Sequence, residues 1–586
     1  MTDEQSDLVR RPYWHYIKKH KTTVALGLLW LFLTNLMDVL IPRLIQITID
    51  RISAGATLRH VAEVVGWILL VTVFLSVFRF LWRVYWATFH HTVAEDLRNR
   101  VFARMADLGP TFFRPRKIGQ LITLISNDVN SFRMGIGPGL LILFDGIILV
   151  ALILPQMIWI SWTWTWQTLA LMPFVPFLVK WILDRLHVAY HERQERFSVQ
   201  SGAAQEIVSG IRVIKGFAQE SNQTSQFNVH SAGFTRACDR VAYWDALFGP
   251  ALELPVALGS ALLLLLGAPA VIRGEISLGQ FFAFYLYIQR MIWPMSAIGI
   301  AMGHVQESRA SFRRIREVLE YPRDVEDAGD LEFEELQSLE VRGLSFRYPE
   351  ASAPSLVNVS FKLERGQCLG IVGLTGAGKS TLVELLTRQY PVPAGTILIN
   401  GVSVERIRLG CLRRLIGVVP QEAFLFSRQV QENLALGLEI WDLDDVRAAA
   451  GQVRLDREIE SWPGRYEALV GERGVNLSGG QKQRMTLARA LARQAPLLIL
   501  DDALSAVDAK TEKVILSALR EEVRKTTSIV VSHRLASLRL ADQILVLHNG
   551  TVEALGRHED LLISSPTYQR LNQMQIMRAT QMEDSP

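Results

Sequence analysis

Six apolar stretches crowd the first half of this chain, near residues 22–48, 61–84, 136–160, 163–186, 248–272 and 278–303. A helix needs roughly 20 mostly apolar residues to cross a bilayer, so each stretch is long enough to span one. Inside lipid the backbone must satisfy its own hydrogen bonds, which makes helices of them. Residues 330–586 read instead as a water-soluble α/β domain. Apolar residues make up 49% of the 586, with a mean hydropathy of +0.19, and the excess lies in the first half. The formal net charge of +4 is too small to argue for nucleic acid. Basic flanks beside membrane segments account for it. Cys238, Cys368 and Cys411 have no paired spacing, which suggests a reducing compartment and neither a disulfide framework nor a metal site. The charged N-terminal stretch shows no cleavable signal pattern.

Short links join the first span to the second, the third to the fourth and the fifth to the sixth. The other two links are long, about residues 85–135 and 187–247. Within them Val93–Leu108 and Gln194–Phe217 carry apolar residues at three- and four-residue spacing, which predicts helical arms. Arms of about 25 residues would reach on the order of 35 Å beyond the bilayer. The 85–135 link carries Arg98, Arg100, Arg104, Arg114, Arg116, Lys117 and Arg133. The turn between spans three and four is uncharged and holds Trp159, Trp162, Trp164 and Trp166. Basic links face the cytosol and tryptophan belts sit at headgroup level, so both termini are expected to be cytosolic. Arg51 and Arg59 on the outer side weaken the rule slightly. Residues 10–21 mix bases with aromatics. They fit either an interfacial helix or a positive flank that only sets orientation.

Ionisable residues within the spans are Asp38, Arg79, Asp145, Lys180, Glu253 and Arg290. Charges at membrane depth are costly; they line a pathway or pair between helices. Asp38 and Glu253 lie deepest in apolar sequence and are the candidates for substrate contact. Phe281, Phe282, Phe284, Tyr285 and Tyr287 crowd span six, where packing or lipid-facing roles compete with lining a cavity.

In the soluble half Gln367–Gly373 reads as a buried strand and runs into Gly373-Leu-Thr375-Gly376-Ala-Gly378-Lys379-Ser380-Thr381. A helix follows. This strand–loop–helix order is what a phosphate-binding loop requires. Its glycines let successive N–H groups point at phosphate, and the helix N-terminus adds a favourable dipole. Lys379 would reach the outer phosphates, and Ser380 would ligate Mg²⁺. Leu497–Asp501 is a second buried strand, whose Asp501 would also hold Mg²⁺. Gln421 and His533 each follow a strand, where an α/β sheet places its ligands.

With Leu477-Ser478-Gly479-Gly480-Gln481 the whole chain resembles an ABC exporter half-transporter of the multidrug or lipid type. In that family a six-helix transmembrane domain is fused to a P-loop nucleotide-binding domain with a helical subdomain. The resemblance implies that Tyr348, in Phe346-Arg-Tyr-Pro, stacks on adenine. It implies that Gln421 touches Mg²⁺ and the attacking water, and that His533 is the switch histidine. Ser478 and Gly480 would hold the γ-phosphate of ATP bound by the opposite domain, and Asp508 would belong to the D-loop Ser505-Ala-Val-Asp508. Glu472 matches an exporter-specific loop. Phe112-Phe-Arg-Pro with Gly119-Gln-Leu, and Glu206–Phe217, match the two cytosolic loops. The implied mechanism is alternating access driven by two ATP molecules sandwiched between two such chains, in contact with membrane lipids.

One position departs from the family. Asp502 stands where glutamate is usual as general base, one methylene shorter. The carboxylate then falls back by roughly 1.5 Å from a geometry that must hold to under 1 Å. A slow site is expected here, while the intact signature could complete an active site on a partner chain. This pattern resembles one half of a heterodimer. A homodimer with an adjusted backbone stays open, as does an ATP-binding regulatory subunit. The expected divisions are an N-terminal segment 1–21, a membrane domain 22–320, a flexible acidic linker 321–336, a nucleotide-binding domain 337–578 and a disordered tail 579–586. The expected cargo is a small amphipathic or hydrophobic molecule, moved across what is expected to be a bacterial inner membrane.

Overall fold

The computed structural model describes residues 3–170, 174–503, 526–539 and 541–583. The chain forms two compact units. One holds residues 1–107 and 116–321, and the other holds 108–115 and 322–586.

In the first unit, among the described residues, four helices are long and apolar enough to cross a membrane: Lys21–Ser53, Leu58–Asp107, Ile118–Ile160 and Glu220–Ile272. They contain the expected spans one, two, three and five. The 50 residues of Leu58–Asp107 would stretch roughly 75 Å, so span two and its arm are one rod. Apolar side chains such as Trp67, Leu69 and Phe80 stay exposed on it, as a lipid-facing surface requires. Spans four and six fall on interrupted helices. Trp162–Leu169 precedes Val175–Ser209, with residues 171–173 outside the described set, and Leu278–Arg290 precedes Ile292–Glu320. The second break has a local cause: Pro294 has no N–H for the Arg290 carbonyl, and its ring crowds that group. The Met291 N–H turns instead to the Ile288 carbonyl, 3.1 Å away.

Close helix approach explains Gly137, whose carbonyl accepts the Trp86 indole N–H at 2.9 Å. A Cβ there would lie 2.6 Å from the His90 ring. Residues 12–19 form a helix whose inner side packs on protein, while Trp14 stays exposed. Tyr16 is buried and donates to Asp96 at 2.8 Å, and Tyr13 donates to Ser308. Trp159, Trp162 and Trp166 are exposed, with the Arg43 guanidinium 4.2 Å over Trp159.

The second unit has two sheets. The strands are β1 (Ser338–Phe346), β2 (Leu356–Glu364), β3 (Cys368–Gly373), β4 (Ile397–Ile399), β5 (Val402–Ser403), β6 (Ile416–Val419), β7 (Leu497–Asp501), β8 (Thr527–Val531), β9 (Gln543–His548) and β10 (Thr551–Gly556). An antiparallel sheet runs β2-β1-β4-β5. The larger one runs β10-β9-β3-β8-β7-β6 and is parallel except for β10. Strands β3, β7 and β8 are buried throughout, as expected for a parallel sheet covered on both faces. Apolar side chains from both faces form two large cores.

The segment 321–336 departs from the flexible linker expected. Asp330 and Leu331 donate to the Arg406 carbonyl, Asp327 accepts from the Leu409 N–H, and Glu332 pairs with Arg408. The last helix, Pro566–Glu583, runs through most of the expected tail.

Candidate functional site

The phosphate loop leaves β3 at Gly373 and turns into the helix Lys379–Leu386. Two of its glycines have positive φ, Gly376 at 83° and Gly378 at 97°, a region open to glycine at no steric cost. A Cβ on Gly378 would also lie 2.6 Å from Leu356 and 2.7 Å from the Ser355 carbonyl. The loop is therefore a cradle that side chains would fill. Lys379 is 7% exposed and its Nζ donates to the Gly373 and Leu374 carbonyls at 2.9 and 3.0 Å. Burial holds this ammonium below the usual lysine range, against the pull of Asp501 and Asp502.

Above the loop lies a cleft of about 320 Å³. Thr375, Gly376, Gly378, Lys379, Ser380, Thr381, Gln421, Asp501, Asp502 and His533 all line it. So does Ser355, which no sequence motif singled out. Asp501 ends β7 and is hydrogen-bonded by Ser380. Burial nonetheless pushes its carboxyl up, with Asp502 adding to the rise. Burial, then Lys379, pushes the His533 imidazole down, with Asp502 and Asp501 opposing. The neutral ring is favoured. Asp502 sits at φ 49°, and its N–H donates to the Val531 carbonyl at 2.9 Å.

The signature residues do not line this cleft. Ser478 caps the helix Gly479–Ala492: its hydroxyl accepts from the Gln481 N–H, and the Gln481 side chain accepts from the Ser478 N–H. Ser478 and Gly479 are exposed. The start of this helix is held by Glu458, which accepts from Arg484 at 2.6 and 3.0 Å and from Gln481 at 3.1 Å. Burial would raise the Glu458 carboxyl, but Arg484 and Gln481 outweigh it and hold the group below the usual range. Glu472 is exposed in the turn Glu472–Gly474. Asp508 lies outside the described residues. Tyr348 sits apart from the cleft but touches it, its hydroxyl 3.0 Å from Thr381 Oγ1.

In the membrane unit most of the intramembrane charges are matched. Asp38 accepts from Arg290 at 3.1 Å, Asp145 accepts from Asn35 and Trp293, and Lys180 pairs with Asp184 at 2.7 Å. Glu253 is exposed on Glu220–Ile272. The structure does not bring it together with Asp38. Of the span-six aromatics Phe281, Phe284 and Tyr287 pack inward, while Phe282 and Tyr285 face out.

A bundle of membrane-length helices fused to a phosphate-loop domain with a cleft of this composition defines a membrane-bound nucleotide-binding protein. Residues 24–295 match the family described as the ABC transporter transmembrane region, and residues 356–505 match the ABC transporter family. The probable multidrug resistance ABC transporter ATP-binding/permease protein YheI of Bacillus subtilis is 33% identical over 94% of this chain and 95% of its own. The multidrug resistance-like ATP-binding protein MdlA of Escherichia coli is 34% identical over 95% of this chain and 94% of its own. A solved bacterial Atm1-family ABC exporter with ATP bound superposes with a TM-score of 0.79 at 24% identity, covering 94% of this chain and 99% of that one. The chain belongs to the ABC transporter family. It is a multi-pass integral membrane protein that carries the transmembrane region and the ATP-binding domain in one polypeptide.

Proposed function

We propose that this chain is one subunit of a two-chain exporter. In this reading it moves an amphipathic or hydrophobic molecule, drug-like or lipid-like, out of a bacterial cell by alternating access, with both termini in the cytoplasm. The observation that carries the two-chain reading is the separation of the signature from the cleft. This domain's cleft gathers its own phosphate loop, Asp501, Asp502, Gln421 and His533, while its Ser478 and Gly479 face outward. Each ATP would then be held by the cleft of one chain and the signature of the other.

The cradle fits a polyphosphate. Its positive-φ glycines free backbone N–H groups, and buried Lys379 supplies the charge that outer phosphates need. Mg²⁺ would be held by Ser380, Gln421 and Asp501 and would offset phosphate charge. Gln421 and His533 would orient a water for attack on the terminal phosphorus, which would release ADP and inorganic phosphate. Asp502 would take the proton of that water. Its reach is one methylene short of glutamate, and its N–H bond to Val531 keeps the backbone from advancing to compensate. We therefore read this chain's own site as slow and favour a heterodimer whose partner supplies the glutamate.

The test is uptake into inside-out vesicles holding the assembled complex. ATP-dependent accumulation of amphipathic cations or fluorescent lipids supports export. Normal ATP binding with no accumulation of any probe favours a regulatory subunit.

A further inference from the structure

Arg114 belongs by sequence to the long link between spans two and three, yet residues 108–115 pack within the nucleotide-binding unit. The helix that contains span two ends at Asp107, one residue before this segment. The segment is anchored by the short helix Pro110–Phe113, in which Phe112 is fully buried and the Thr111 N–H donates to Asp324 Oδ2 at 2.9 Å. Gly109 permits the approach, since a Cβ there would lie 2.3 Å from the Asp324 carboxylate. From this anchor the Arg114 guanidinium lies 4.4 Å over the centre of the Tyr348 ring and 5.3 Å from that of Tyr390. Its Nη2 donates to both carboxylate oxygens of Glu384, at 2.9 and 3.1 Å. The Tyr348 hydroxyl donates to the same carboxylate at 2.7 Å and meets Thr381 at 3.0 Å. Glu384 and Thr381 stand on the helix that follows the phosphate loop. One cation thus holds the tyrosine twice, through its ring and through the acid that takes its hydroxyl. Beside this stack lies a cavity of about 290 Å³ bordered by Thr111, Arg114, Tyr348, Pro349 and Tyr390.

We infer that Arg114 is a positioning residue of the nucleotide site, fixing the Tyr348 ring for the adenine base from a segment that the membrane half supplies. The inference rests on the proposed role of Tyr348. Linkage makes the effect reciprocal: whatever factor Arg114 adds to base affinity, a bound base adds to the hold on Arg114. Occupancy of the base site then bears directly on a segment continuous with the span-two rod.

The experiment measures equilibrium binding of ATP and of inorganic triphosphate to the full-length assembled protein. It compares wild type with Arg114→Ala, Arg114→Lys and Tyr348→Ala. Arg114→Ala is expected to weaken ATP roughly fivefold, the scale of one cation–π contact, and to leave inorganic triphosphate unchanged. Arg114→Lys should recover part of the loss, because lysine keeps the charge without the planar fork. Equal weakening of both ligands by Arg114→Ala, or unchanged or tighter ATP binding, overturns the inference. If Tyr348→Ala weakens ATP selectively while Arg114→Ala does not, the inference alone fails. If Tyr348→Ala has no effect, the role of Tyr348 fails and the inference with it.

Discussion

The phosphate cleft and the signature turn are built by the same domain in opposite ways. In the cleft, side chains from four strand ends and one loop converge on one space, and the two most telling, Lys379 and Asp501, are each 7% exposed. At the signature the side chains turn back on their own helix. Ser478 and Gln481 cap each other, and Gln481 and Arg484 are tied to Glu458. What the turn leaves facing outward is backbone and two small residues. In the proposed two-chain reading, a surface that spends its side chains on its own rigidity and offers only its face would complete a site that the cleft of another chain begins.

Substitutions on the two sides should therefore behave differently. Lys379→Ala removes the buried cation of the cleft. It should lower ATP hydrolysis at this chain's own site by roughly a thousandfold, the upper range for loss of one preorganised donor, and weaken ATP binding there as well. A radiolabelled hydrolysis assay with parallel binding reads both effects. Ser478→Arg should cost roughly a hundredfold in hydrolysis by the assembled complex while ATP affinity measured on the isolated chain stays at the wild-type value. A matching loss of affinity would join the two regions into one site and break the comparison. Glu458→Ala leaves the Arg484 guanidinium, 8% exposed, without its carboxylate. It should cost about 2 kcal/mol of stability, seen as a lower unfolding temperature with the cleft still able to bind ATP.

The smallest effect is that of pH. His533 is held below the ordinary imidazole value by burial and by Lys379. Below an unfolded-state value near 6.5 the unfolded chain takes up a proton that the folded one does not. Stability should therefore fall as pH drops from about 6.5 toward the folded value, and should be unaffected above it. His533→Gln should narrow the gap in unfolding temperature between pH 7.5 and pH 5.5, while an unchanged gap would mean that the ring is charged in the folded state.

The cleft was largely legible in the sequence because each of its parts is local. A strand, a glycine turn and a helix start are contiguous, Asp501 ends a recognisable buried strand, and Gln421 and His533 each follow one. Spans one, two, three and five were legible for the same reason, as continuous apolar length. Long-range pairing was not. Asp38 finds Arg290 252 residues away, so a charge that stands out in sequence is compensated in space. The segment 321–336 looked like a loose acidic spacer, because its bonds to Arg406, Arg408 and Leu409 come from sequence far downstream. The break at Met291 was hidden because Pro294 acts one turn back from its own position. In the sequence Arg114 is a basic residue of a cytosolic link and part of the Phe112-Phe-Arg-Pro loop motif. Its place over Tyr348 comes from the docking of Phe112 and Gly109, which no local pattern announces.

The most direct test of the central claim, that this chain's own site is slowed by a carboxylate one methylene short, is the ATP hydrolysis rate of the purified, assembled complex carrying Asp502→Glu. The Val531-pinned backbone predicts a rise of roughly tenfold or more in turnover at this chain's own site, read with the partner's site inactivated, since a well-placed general base contributes about a hundredfold or more, with ATP affinity unchanged. A folded, assembled Asp502→Glu complex that hydrolyses no faster than wild type would contradict it.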